Sequence, residues 1–117
     1  MKAVLLFESH RLFRAISDRI VVMKMDLYEL ELLETEAISD SSSRYRFSWI
    51  AFDQEDPEMR VLFDSHLPKG PHFHIDGDQD GQPFAWFSIQ DAIQFFHTKV
   101  TEHFGELSEI SDEGEQD

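Results

Sequence analysis

Arg44–Phe52 reads RYRFSWIAF, and after the turn Gln54-Glu55-Asp56-Pro57 the stretch Glu58–Asp64 reads EMRVLFD. The first stretch opens with strict polar–apolar alternation. It carries Tyr45, Phe47, Trp49 and Ile50, side chains that suit a pleated, half-buried surface. The two stretches therefore read as a β-hairpin whose loop is longer than two residues. Further along, His72–Asp76 is a short strand, Gly77-Asp78-Gln79-Asp80-Gly81 is a turn, and Gln82–Phe87 pairs back. Before the hairpin, Arg19–Glu31 alternates over a long stretch, and Lys2–Glu8 permits a strand. Between them Ser9–Ser17 is compatible with a short helix instead of strand. One helix is expected from Ser88, a good N-cap with Asp91 three residues on. Ile89, Ile93, Phe96, Val100, Phe104 and Leu107 follow with helical spacing, and Gly105 frays or ends it. Strands followed by a terminal helix give an α+β class, with an antiparallel sheet of about five to six strands packed by a C-terminal α-helix.

The chain has 117 residues, enough for one domain. Residues 1–107 are assigned to that domain and 108–117 to an acidic, disordered tail. Ser39-Asp40-Ser41-Ser42-Ser43 is a polar connector. Eleven Phe and two Trp supply large apolar surfaces for a core. There is no cysteine, which removes disulfides, thiolate catalysis and Cys-ligated zinc together. The apolar runs Ala3–Phe7 and Ile20–Met23 are too short to span a bilayer. No charged start precedes a continuous apolar stretch, so the expected location is the cytoplasm, with no membrane association. Net charge is −14, from 24 acidic and 10 basic residues, which sets aside a simple basic-surface nucleic-acid binder. Six of the acids lie between Glu106 and Asp117, leaving 18 acidic against 10 basic residues before that segment.

The concentrated chemistry lies between Arg60 and Asp76, which hold three of the six His residues. His72 and His74 are one residue apart, so on a strand both imidazoles take the same face, about 6.6 Å apart at the backbone. Phe73 and Ile75 take the other. If Phe63 packs with Phe73 on the core side, Asp64 emerges beside His72 and His74. Arg60 shares that face of its strand, Arg44, Arg46 and Ser48 alternate similarly, and Lys69 stands above on the loop. This set suits a phosphodiester. One His serves as general base and the other as general acid, Asp64 orients an imidazole, and Arg or Lys holds the phosphate. With RNA the 2′-hydroxyl is the nucleophile, so no metal or other cofactor is needed. The same residues also suit a metal, with Asp64 or Asp76 as third ligand to His-x-His. A His-x-His pair on an edge strand can also simply sit in solvent.

The run Phe63-Asp64-Ser65, then Lys69-Gly70-Pro71-His72-Phe73-His74-Ile75, resembles the TumE-type toxins of prokaryotic toxin–antitoxin pairs. Their signature is similar: a strand ending Tyr-Asp-Asn, then Lys-Gly-Asp-His-x-His and a hydrophobic residue. Pro83-Phe84 and Ser88–Phe104 look like the Pro-aromatic pair and C-terminal helix that follow, and Tyr45-Arg46-Phe47-Ser48 resembles a Tyr-x-Tyr strand. The resemblance covers roughly residues 44–104. Phe63, Ser65 and Pro71 depart from it. It implies a toxin acting on RNA and held in check by a helix-turn-helix antitoxin, with Asp64, Lys69, His72 and His74 as the functional residues. The expectation is thus a metal-independent endoribonuclease, with Arg44, Arg46 and Arg60 on the substrate. The alternatives are an acidic protein-binding module and a His-x-His metal-binding protein. An exposed sheet edge would suit a homodimer.

Overall fold

A computed structural model describes residues 2–31, 44–65 and 70–110. The Ser39–Ser43 connector and Lys69 fall outside the described residues. Seven strands form one antiparallel sheet: β1 (Lys2–Ala15), β2 (Ile20–Glu31), β3 (Tyr45–Asp53), β4 (Arg60–Asp64), β5 (His72–Ile75), β6 (Gln82–Pro83) and β7 (Leu107–Glu109). A single helix, α1 (Ile89–Phe104), lies between β6 and β7 in the chain. The spatial order is β6-β5-β4-β3-β2-β1-β7, so the first six strands run as a meander and α1 returns the chain to the far edge. The expected α+β class holds, with more strands than the five to six anticipated.

Alternation explains the core. Phe47, Trp49 and Ala51 are buried on one face of β3. They meet Leu27, Met25 and Met23 of β2 in register, and Trp49 and Ala51 meet Phe63 and Val61 of β4. Phe63 in turn pairs with Phe73 of β5. Helix α1 closes this face. Ser88 Oγ accepts the Asp91 N–H at 3.0 Å, starting the helix. Ala92, Phe96, Val100 and Phe104, four residues apart, make its buried stripe. Phe96 meets the rings of Phe63 at 5.1 Å and Trp49 at 5.7 Å, both edge-on. Among the described residues no element covers the opposite face, and no helix is long and apolar enough to cross a membrane.

Several sequence-based boundaries move. Ser9–Ala15 is strand, because β1 pairs with β2 without interruption from Phe7↔Leu27 to Arg14↔Ile20. The hairpin closes with Asp18 at φ 72° and an Ala15 N–H to Arg19 O bond of 2.9 Å. Leu107 leaves the helix. Gly105, at φ 84°, donates its N–H to Thr101 O at 2.8 Å and turns the chain out of the helix. Leu107–Glu109 then pairs with Phe13–Ala15, and residues 111–117 of the expected tail fall outside the described residues. Finally, the strand expected over Gln82–Phe87 is only Gln82–Pro83.

The β3–β4 turn is held by a buried carboxylate. Asp53 accepts the Glu55 N–H at 2.9 Å and pairs with Arg19. Burial alone would raise its pKa. The backbone donors of Glu55 and Asp56 and the Arg19 guanidinium outweigh burial and hold the carboxyl below its ordinary value. A depressed folded pKa gives stability that is present above the unfolded value, near 3.8, and lost as pH falls through the folded one. Asp53→Asn is therefore expected to lower the midpoint of denaturation at pH 7 and to flatten the acid limb of the stability–pH curve. An unchanged acid limb would show that Asp53 is not the group linked to it.

Candidate functional site

On the uncovered face, β4 presents Arg60, Leu62 and Asp64, and β5 presents His72 and His74. The registers Asp64↔His72 and Leu62↔His74 place them side by side. This is the arrangement expected from packing Phe63 with Phe73, whose rings stack at 5.1 Å on the other face. Candidate ligand atoms of Asp64, His72 and His74 all lie within 4.8 Å of one another. The two imidazoles meet edge to face at 4.9 Å. His72 is only 4% exposed, whereas Asp64 and His74 are partly open to solvent.

Backbone carbonyls fix both rings. His72 Nδ1 lies 2.6 Å from Gly70 O, and His74 Nδ1 lies 2.7 Å from Asp78 O. A carbonyl oxygen can only accept, so each Nδ1 carries the hydrogen. In the neutral rings both Nε2 atoms are then lone pairs. His72 Nε2 faces Asp64 Oδ1 at 3.3 Å. His74 Nε2 makes no hydrogen bond among the described residues.

Two glycines shape this arrangement. Gly70 sits at φ 72°, so its conformation, rather than space, requires glycine. Gly81, at φ 74°, is packed under the His74 ring. A Cβ there would come within 2.7 Å of Cε1 and 3.0 Å of Nε2. Gly81→Ala is accordingly expected to displace the ring and to cost about 1–2 kcal/mol for the left-handed backbone. Gly77 has open space around it. The check is the set of histidine ring resonances by NMR, alongside thermal unfolding: Gly81→Ala should move the His74 signals and Gly77→Ala should leave them. Equal spectra for both would contradict the close packing.

The remaining candidates divide. Arg60 lines an open groove of about 480 Å³ with His74, Glu58 and Asp78. Its Nε is buried and has no hydrogen-bond partner among the described residues. Arg46 is on the same sheet face but lies over the Tyr28 ring at 4.9 Å, toward β2. Arg44 precedes β3 and pairs with Glu29 at 3.0 Å, outside the cluster. Asp76 is not part of the cluster. It accepts from His103 Nε2 at 2.7 Å and from the Arg60 N–H at 3.0 Å, tying α1 to the end of the β4–β5 hairpin.

Sequence reading missed the carbonyls of Gly70 and Asp78 and the contact of Gly81, all of which act through backbone. Glycine at the first and last of these positions was the visible signal. Ser65 and Phe63, where the resemblance departs, are structural. Ser65 Oγ accepts the Phe47 N–H at 3.0 Å, and Phe63 is fully buried. No family model, curated protein or solved structure matches the chain.

Proposed function

We propose that this chain is a toxin-type protein that cleaves RNA at the Asp64–His72–His74 cluster, under the control of a helix-turn-helix antitoxin. One observation carries the reading. Backbone carbonyls hold both Nδ1–H groups, which leaves both Nε2 atoms as the working nitrogens, that of buried His72 against the Asp64 carboxylate and that of His74 on a ring partly open to solvent. The resemblance to TumE-type toxins rests on these same residues. Arg60 lines the groove shared with His74, and its guanidinium group is suited to a phosphate oxygen.

The chemistry balances without a further reactant. His74 Nε2 takes the proton of the ribose 2′-hydroxyl, and O2′ bonds to phosphorus. His72, protonated at Nε2 and oriented by Asp64, gives its proton to the departing 5′-oxygen. The products are a 2′,3′-cyclic phosphate and a 5′-hydroxyl end. Arg60 offsets the charge that grows on the phosphoryl oxygens.

The test is induced expression in a permissive bacterium, wild type against His72→Ala/His74→Ala, with total RNA followed over time. Arrest and RNA decay with wild type alone are expected. Equal arrest by both chains would remove the His pair from the mechanism. Soluble expression of wild type without arrest would overturn the toxin reading and favour an acidic protein-binding module.

A further inference from the structure

We infer that Asp64, His72 and His74 form a three-ligand site for a divalent transition-metal ion, and that the bound ion silences the proton chemistry of the same groups. The second half rests on the ribonuclease reading; the first does not.

Three features carry the site. The first is ring orientation. A histidine that ligates a metal through one nitrogen commonly donates its other N–H to a carbonyl or carboxylate, which fixes the tautomer and makes the free nitrogen more basic. His72 and His74 both do this, to Gly70 O and Asp78 O. The second is separation. His72 Nε2 and Asp64 Oδ1 are 3.3 Å apart. Two ligand atoms bound tetrahedrally at about 2.0–2.1 Å stand about 3.4 Å apart. The other ligand-atom separations reach no more than 4.8 Å, so an ion need draw the three groups together by only about 1.4 Å. The third is charge. Glu58 and Asp78 line the groove beside His74 against the single cation Arg60, which leaves the groove net negative.

The donor set selects the ion. Two imidazoles and one carboxylate suit zinc, nickel, cobalt or copper, whereas magnesium and calcium prefer all-oxygen shells. Three protein ligands leave at least one position for water. A bound ion occupies the His74 lone pair that would accept the 2′-hydroxyl proton. It also displaces the proton that His72 would donate. Metal binding and acid–base cleavage are thus mutually exclusive at this cluster.

The test is calorimetric titration of the full chain with zinc chloride, without RNA, with folding checked by circular dichroism. One saturable zinc per chain is expected, and no site for magnesium. His74→Ala should weaken zinc binding by roughly 100-fold or more, since loss even of a group that supports a ligand commonly costs about 10- to 100-fold. His10→Ala, remote from the cluster, should bind as wild type. Asp64→Asn is the second variant, should His74→Ala fail to fold. Wild-type affinity in a folded His74→Ala or Asp64→Asn chain, or equal binding of magnesium, would overturn the site. RNA cleavage is then measured with zinc and with excess chelator. Cleavage suppressed by zinc and restored by chelation is expected. Cleavage that requires zinc would overturn the antagonism while keeping the site. If zinc binds and RNA survives under both conditions, the site stands and the ribonuclease reading falls.

Discussion

Phe96→Ala is expected to lower folding stability by about 3–5 kcal/mol, the usual cost of truncating a fully buried Phe. Phe96 is 0% exposed and sits at the middle of the α1 stripe, against Phe63 and Trp49. Those two rings belong to β4 and β3, so the helix is seated at this point on the centre of the sheet. The truncation removes ring–ring contact on two sides and leaves a space that rigid neighbours fill only partly. A domain of this size has about 5–15 kcal/mol in total, so the variant should unfold at much lower denaturant. Phe87→Ala is the matched control. Phe87 is 78% exposed, and its loss should change stability by no more than about 0.5 kcal/mol. Chemical denaturation of the two variants beside wild type decides it. Equal effects would mean that α1 does not seat on the sheet through Phe96.

On the proposed ribonuclease reading, His74→Ala is expected to reduce RNA cleavage about 100- to 10,000-fold, the range a positioned general base supplies. Stability should change little, because the ring is partly open and its one hydrogen bond is to a turn carbonyl. His72→Ala should lose activity and stability together. Its ring is buried, and its removal leaves Gly70 O without that partner, at a cost of about 1–3 kcal/mol. The pair of variants therefore separates chemistry from folding. Single-turnover cleavage of a short RNA, with unfolding curves on the same samples, gives both quantities. Folded His74→Ala with wild-type cleavage would remove it as the base.

The placement of the site was readable because a strand has period two. Once Phe63 and Phe73 are assigned to the core, Asp64, His72 and His74 have no choice of face, and the register follows. The helix start was equally local, set by Ser88 and the apolar spacing after it. What failed to show depended on distant partners. Ser9–Ala15 lacks a clean alternation, and pairing with β2 makes it strand. Leu107 falls on helical spacing, yet Gly105 turns the chain and β1 supplies an edge to join. Arg44 and Arg46 fit the alternation, but Glu29 and Tyr28, on the neighbouring strand, engage them. The carbonyls that pin the imidazoles leave no side-chain trace in a sequence.

The placement of β7 bears on how the acidity of the chain is felt. Glu106 and Glu109 belong to the most acidic stretch of the sequence, and Glu109 lies on the outermost strand next to β1. From β7 to β5 there are five inter-strand steps. At about 4.8 Å each, they amount to roughly 24 Å. In a physiological electrolyte the Debye length is about 8 Å, so mobile ions attenuate the field of Glu109 strongly over that distance. An anionic chain approaching the histidines is therefore governed by nearby charges, Arg60 among them, while the opposite rim can repel a second polyanion or attract a basic surface without disturbing the first.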